Sequence, residues 1–155
     1  MAKTISVSIK DKIAEYQQKN PNVKLENMKE VDFTLRAGSP AIDKLDASIA
    51  VFKNCQKLSL STNLIEKITA MNGTRGIDNL KKLKVLYVAY NNIKKWDEFE
   101  RFCNLPLLED FIFIGNPLYD TIDPAKYTKE ITKRIPTLKV LEGVPVLGDD
   151  ESDDD

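Results

Sequence analysis

Leu83-Lys84-Val85-Leu86-Tyr87-Val88-Ala89-Tyr90-Asn91-Asn92-Ile93-Lys94-Lys95-Trp96 is the stretch that decides how this chain folds. Its apolar residues fall at Leu83, Leu86, Val88, Ile93 and Trp96, and a polar Asn91 stands where the run should turn. The pattern is L-x-x-L-x-L-x-x-N-x-L: a short strand sends alternate side chains inward, and a turn follows. Sliding the same template along the chain finds Cys55, Leu58, Leu60, Asn63, Ile65 and Ile68, then Leu108, Phe111, Phe113, Asn116 and Leu118.

Recurrence at this interval is the mark of a leucine-rich repeat. The fold class expected is therefore α/β: a short solenoid with a parallel β-sheet on its concave face and helices and turns on its convex face. Asn63 to Asn91 is 28 residues and Asn91 to Asn116 is 25. An asparagine amide both donates and accepts, so Asn63, Asn91 and Asn116 should stack as a structural ladder that satisfies turn backbone otherwise buried and unpaired. Losing one should cost about 1–3 kcal/mol. Between Asn63 and Asn91 the apolar ladder runs Ile65, Ile68, Met71, pauses at residues 72–77 and resumes at Leu80 and Leu83. Either about six residues are inserted there or a longer piece is missing.

The flanks read as caps. Ile9, Ile13 and Tyr16, with Ser8 three residues before Asp11, predict a capped amphipathic helix ending near Asn20-Pro21. Residues 5–19 are taken as a helical cap over the edge of the first strand. Met28, Val31 and Phe33 open a degenerate repeat with Arg36 in the asparagine position, and Ile42, Leu45 and Ile49 continue at helical spacing. After the repeats of residues 28–118, Tyr127, Ile131 and Ile135 predict a helix stopped by Pro136, and Leu138 to Val146 a last strand with no asparagine. Residues 123–148 thus form a helix and degenerate cap strand, closing a single domain of residues 1–148. Residues 149–155, Asp-Asp-Glu-Ser-Asp-Asp-Asp, form a self-repelling acidic tail that reads as disordered.

Composition excludes several classes. The 155 residues contain no histidine, which removes Ser-His-Asp and Cys-His catalysis and the commonest metal ligand. Cys55 and Cys103 lie far apart and read as reduced, buried thiols rather than a zinc site or disulfide. Gly73, Gly76 and Gly115 occur singly, with no phosphate-cradling loop, while Met71 and Trp96 sit at core positions. No enzyme activity, cofactor or metal is expected. The start of the chain lacks a signal-peptide pattern and no apolar run is long enough for a membrane helix, so an intracellular protein without membrane contact is expected. The net charge of -1 divides into a body of about +5 and a tail with six of the 24 acidic residues.

Packing explains the template positions, so partner binding must be sought on the outward ones. Strand by strand, the concave face should show Glu30, Asp32, Thr34; Lys57, Ser59, Ser61; Val85, Tyr87, Ala89; Asp110, Ile112, Ile114; and Val140, Glu142. Val85, Tyr87, Ile112 and Ile114 form an apolar patch rimmed by Lys57, Asp110 and Glu142, the candidate partner-binding surface. The alternative is that a C-terminal segment folds over it. A basic set, Lys81, Lys82, Lys84, Lys94, Lys95 and Arg101, lies by sequence on convex and edge surfaces. It is either a solvated face or a surface for an acidic polymer, and without interleaved aromatics nucleic acid ranks below a microtubule surface.

Four strings carry a family resemblance: Pro40-Ala41-Ile42-Asp43-Lys44-Leu45-Asp46-Ala47-Ser48-Ile49; Lys57-Leu58-Ser59-Leu60-Ser61-Thr62-Asn63-Leu64-Ile65-Glu66-Lys67-Ile68; Gly115-Asn116-Pro117-Leu118; and Leu141-Glu142-Gly143-Val144-Pro145-Val146. The chain resembles the axonemal outer-arm dynein light chain 1 family over nearly its whole length. It departs where family members carry roughly two further repeats, between Met71-Asn72-Gly73 and Gly76-Ile77. The resemblance implies a non-catalytic light chain that binds the dynein heavy chain near its microtubule-binding stalk and modulates motility in the cilium or flagellum axoneme, within the cytoplasm and cytoskeleton. A basic body is consistent with that role, and the basic set is the candidate microtubule-proximal surface. Other classes compatible with the residues are a nuclear acidic-tailed adaptor or histone chaperone and a phosphatase-regulating scaffold.

Overall fold

Each Leu-x-Leu run becomes a three-residue strand because two inward side chains and one solvent-facing face are all a repeat needs before the asparagine turns the chain. The computed structural model describes residues 5–68 and 77–147. Met71, Gly73, Gly76 and the acidic stretch 149–155 lie outside them. In chain order the elements are β1 (Ser6–Ser8), α1 (Ile9–Lys19), β2 (Glu30–Asp32), β3 (Ala41–Leu45), β4 (Lys57–Ser59), β5 (Lys67–Ile68), β6 (Val85–Tyr87), α2 (Trp96–Phe99), β7 (Asp110–Ile112), α3 (Pro117–Asp120), α4 (Tyr127–Arg134), β8 (Val140–Leu141) and β9 (Val144–Pro145).

The concave sheet runs β2-β4-β6-β7-β8-β9, parallel except for the last pair. Its central row of inward residues, Val31, Leu58, Leu86, Phe111 and Leu141, is in register and buried. β4 pairs directly with β6, Leu58 opposite Leu86. The irregular stretch between them therefore leaves no gap in the sheet, as expected of a solenoid in which each unit touches only its neighbours.

The convex side corrects two expectations. Ile42, Leu45 and Ile49 do not lie on a helix: residues 41–45 are a strand, and only Ala47–Val51 winds into a 3-10 turn, begun by the Asp46 carboxylate accepting from the Ser48 N–H. Pro40 and the branched Ile42 favour extended backbone, and spacing of three and four residues also fits a buried strand followed by a turn. Residues 6–8, assigned to the N-terminal helix, are likewise a strand. Together β1, β3 and β5 form a second parallel sheet. The helix begins at Ile9 with Ser8 as its cap, the Asp11 N–H donating to Ser8 Oγ at 3.2 Å. It packs on β1, β3 and the 3-10 turn, burying Ile9 and Ile13 and setting Tyr16 edge-on to Phe33 at 6.2 Å. It thus closes the end of the core between the sheets.

The C-terminal cap is a hairpin. Gly143, at φ +76°, lets the chain reverse so that Val144 and Pro145 pair on β8. Among the described residues, this segment extends the sheet beside β8 and does not cross its concave face.

Candidate partner-binding surface

The asparagine ladder beside the surface is built the same way three times. The Ile42 N–H donates to Asn63 Oδ1 at 2.9 Å, the Ile65 N–H to Asn91 Oδ1 at 3.0 Å and the Ile93 N–H to Asn116 Oδ1 at 3.1 Å. Each amide Nδ2 then donates to a carbonyl of its own strand and one of the preceding repeat: Leu60 and Phe33, Val88 and Leu60, Phe113 and Val88. All three asparagines are buried, Asn116 completely. Arg36, in the asparagine position of the first repeat, instead lies exposed and pairs with Asp32 at 3.1 Å.

This ladder requires left-handed backbone one residue earlier. Thr62 (φ 59°), Tyr90 (φ 56°) and Gly115 (φ 85°) occupy that position in successive repeats. The sequence signals it only at Gly115. Tyr90 is the more informative case, for it is 58% exposed in a conformation disfavoured for a bulky residue, with its ring lying against the Gly115 α-carbon. It adds an aromatic to the edge of the apolar patch that the repeat template does not single out.

On the concave face, register sets Glu30, Lys57, Val85, Asp110 and Val140 side by side in one row, and Asp32, Ser59, Tyr87 and Ile112 in the next. Val85, Tyr87 and Ile112 are half-buried and Ile114 is 37% exposed, with Tyr87 opposite Ile112 across the β6–β7 pair. Lys57 Nζ sits 5.5 Å from the Tyr87 ring centroid, and the Tyr87 hydroxyl donates to Asp110 Oδ2 at 3.2 Å. Burial first, then Asp110, pushes the Tyr87 hydroxyl above its usual pKa. A groove of about 440 Å³ beside it is lined by Glu30, Val31, Asp32, Lys57, Ser59 and Tyr87.

Two expected members of the face are otherwise engaged. Ala89 is only 6% exposed. Glu142, expected on the rim, turns its carboxylate onto the end of the sheet, where it accepts from the Phe113 and Ile114 N–H groups and from the Tyr127 hydroxyl. In the last repeat, which has no asparagine, this carboxylate takes over the task of satisfying the preceding strand. Burial, reinforced by Glu142, holds the Tyr127 hydroxyl protonated well above its usual range.

The six cations fall into separate groups. Lys81, Lys82 and Lys84 are exposed at the leading ends of the strands; Lys82 donates to Asn54 Oδ1, and the Asn54 amide donates to the Glu26 carbonyl. Lys94 and Lys95 lie beyond the Asn91 turn beside Glu66, Lys67 and Glu98, with Lys94 at 3.8 Å from Glu66. Arg101 is exposed on the convex 3-10 turn. Cys55 and Cys103 are free, and burial raises them to about 11 and about 12. Among the described residues, no group of three or more His, Cys, Asp or Glu could hold a metal, and no helix could cross a membrane.

Comparison with known proteins agrees with this geometry. The leucine-rich repeat domain of Mex67 from Chaetomium thermophilum superposes with a TM-score of 0.60 at 20% identity, covering 92% of this chain and 97% of that one. A chain of the Drosophila melanogaster SNF/U2A' complex gives 0.63 at 19%, covering 81% and 66%. No family profile matches the sequence. Dynein axonemal light chain 1 of Homo sapiens is 36% identical over 195 positions, covering 96% of this chain and 98% of the relative, and that of Chlamydomonas reinhardtii is 31% identical over 190, covering 91% of each. Because 195 aligned positions exceed 155 residues, at least 40 of them have no counterpart here. That is the length of about two repeats of 20–29 residues. With this similarity running nearly end to end on a leucine-rich repeat fold, the chain belongs to the dynein axonemal light chain 1 family.

Proposed function

We propose that this protein is a non-catalytic regulatory light chain of ciliary or flagellar outer-arm dynein. Its concave face binds the motor heavy chain near the microtubule-binding stalk, and through that contact it modulates motility in the axoneme. The contiguous apolar strip of Val85, Tyr87, Ile112 and Ile114, held in register by the asparagine ladder, carries the reading. An apolar strip that keeps part of its surface in water suits burial against a partner. The family name supports association with dynein, and the apolar strip supports the choice of the concave face. Lys81, Lys82, Lys84, Lys94, Lys95 and Arg101, exposed on the edges and the convex side, lie near the acidic tubulin surface when the concave face is occupied. The repeat domain of residues 1–148 is the binding unit, with residues 149–155 as an acidic appendage.

Replacing Tyr87 and Ile112 together by Asp should abolish recovery of dynein heavy chain from an axonemal extract while the unfolding midpoint changes little. Undiminished recovery by the double variant overturns the concave reading. Microtubule cosedimentation should weaken with salt and with charge reversal at Lys81, Lys82, Lys94 and Lys95; indifference to both removes the basic surfaces from the function.

A further inference from the structure

The leading ends of the concave strands carry lysines that packing does not explain. Main-chain hydrogen bonds of 2.7–2.8 Å set Lys29, Gln56, Lys84, Glu109, Lys139 and Val146 in one row, each N–H donating to the carbonyl of the residue before it. The turns entering these strands add Lys53, Lys81 and Lys82, with Lys24 and Glu26 at the far end, and the first strand positions add Glu30, Lys57 and Asp110. This edge is therefore basic, with eight lysines against four acids. Glu109 pairs with Lys139 at 3.3 Å and Lys82 donates to Asn54 Oδ1 at 2.6 Å. Lys29, Lys53, Lys81 and Lys84 are exposed and form no ion pair among the described residues.

The chain itself brings an anion to this edge. Because β9 runs back against β8, Val146 comes out at the leading end beside Lys139, and the exposed Leu147 follows. Residues 149–155 then carry six carboxylates and no cation. Neighbouring strands stand about 4.8 Å apart, so along the row Lys139 lies about 5 Å, Lys84 about 14 Å and Lys29 about 24 Å from Val146. Residues 148–155 can span up to about 26–29 Å, enough to follow the whole row. Lys94 and Lys95 lie at the opposite ends of the strands, beyond the Asn91 turn.

Resting on the reading that the lysine-bearing surfaces meet an acidic partner, we propose that residues 149–155 lie along this lysine edge and mask it until a more densely charged acidic surface displaces them. Exposed ion pairs are individually weak and screened by salt. A short tether, however, holds the acidic stretch at an effective concentration in the millimolar range, so several weak pairs together keep it in place. The contact thereby sets a threshold for acidic partners at the leading edge and leaves Lys94 and Lys95 untouched.

The test uses the full chain, with a fluorescent polyglutamate peptide as the acidic probe and polymerised tubulin in parallel. Carbodiimide, which joins carboxylates to amines in direct contact, should link residues 149–155 to Lys82, Lys84 and Lys139 within one molecule, and about 1 M salt should suppress the links. Links spread evenly over all exposed lysines, or formed chiefly between molecules, would overturn the proposal. Changing the six carboxylates to amides should raise affinity for polyglutamate at least ~3-fold at low salt and not at about 1 M. Lys82→Gln with Lys84→Gln should remove that gain, whereas Lys94→Gln with Lys95→Gln should leave it. A gain that survives the first pair would reduce the effect to general repulsion and sink the proposal, as would no gain at all. If the gain holds for polyglutamate but neither form binds microtubules, the masking stands and the tubulin reading fails. If microtubules bind equally with and without the carboxylates and the links are absent, the tubulin reading stands and the masking fails.

Discussion

The two halves of the solenoid solve the same packing problem differently. In the first repeats the convex side is closed by backbone, through the parallel ladder of β1, β3 and β5. In the later ones it is closed by short helical turns packed on a phenylalanine cluster, in which Phe99 sits within 5.2–6.0 Å of Trp96, Phe102, Phe111 and Phe113. The outward concave residues divide in the same place: Asp32, Ser59 and Ser61 are polar, Val85, Tyr87 and Ile112 apolar. Stability and binding therefore separate by row. Inward and asparagine rows repeat regardless of half, while the outward row is free to specialise.

The division predicts that aromatic packing matters most in the second half. Phe99→Leu, which loses four ring partners, should lower stability by about 3 kcal/mol, whereas Phe33→Leu, which loses Tyr16 and Phe52, should lower it by about 1.5 kcal/mol. Urea unfolding measures both, and equal losses would erase the distinction between the halves.

The asparagine row should cut across that division. Asn91→Ala strands the Ile65 N–H, leaves the Leu60 and Val88 carbonyls with one side-chain donor each, from Asn63 and Asn116, and should lose about 2 kcal/mol, while Arg36→Ala, at the matching position of the exposed first turn, should lose less than about 0.5 kcal/mol. A large effect at Arg36 would mean that the first repeat belongs to the ladder after all.

A titration compares the halves through their thiols. Both are raised above the usual thiol value of 9.0, Cys55 to about 11 and Cys103 to about 12. The folded state keeps a proton that the unfolded chain releases, so this stabilisation is complete below pH 9 and is lost as pH climbs through 11 and 12. Unfolding midpoints measured from pH 8 to 10.5 should decline, and Cys55→Val should flatten part of that decline. A wild-type midpoint constant over this range would show that neither thiol is shielded in solution.

The rows that repeat were the ones legible in the sequence. The Leu-x-Leu pairs, the three asparagines, the Ser8 cap and the helix before Pro136 could be read because each demands a particular residue type at a fixed offset. The convex strand of residues 41–45 could not, since its buried Ile42, Leu45 and Ile49 fit two periodicities and the pairing that decides between them comes from Ser6–Ser8, more than thirty residues away. Alternation alone places Glu142 and Ala89 on the outward row. Alternation carries no information on whether a carboxylate turns back to cap a neighbouring strand, or whether a small side chain is overhung by its neighbours. Tyr90 was hidden for a related reason: the left-handed turn is announced by glycine, and only one of its three occurrences uses one.

That turn gives the smallest and most discriminating comparison. If the left-handed position is the same device in both halves, residue identity there should change stability in opposite directions. Thr62→Gly removes a β-branched side chain from φ 59° and should raise stability by about 0.5 kcal/mol, the relief of steric strain exceeding the added freedom of the unfolded chain. Gly115→Ala places a methyl group at φ 85°, 2.2 Å from the Tyr90 ring, and should lower stability by about 1–2 kcal/mol. The loss has two parts, backbone strain and collision with the ring. Tyr90→Ser removes only the collision, so the double variant should recover part of the loss and not all of it. Full recovery would mean that the turn itself is unstrained and that Tyr90 alone forbids a side chain. No recovery would mean that the ring swings aside freely, so that the exposed aromatic at the edge of the apolar strip is not held in place before a partner arrives.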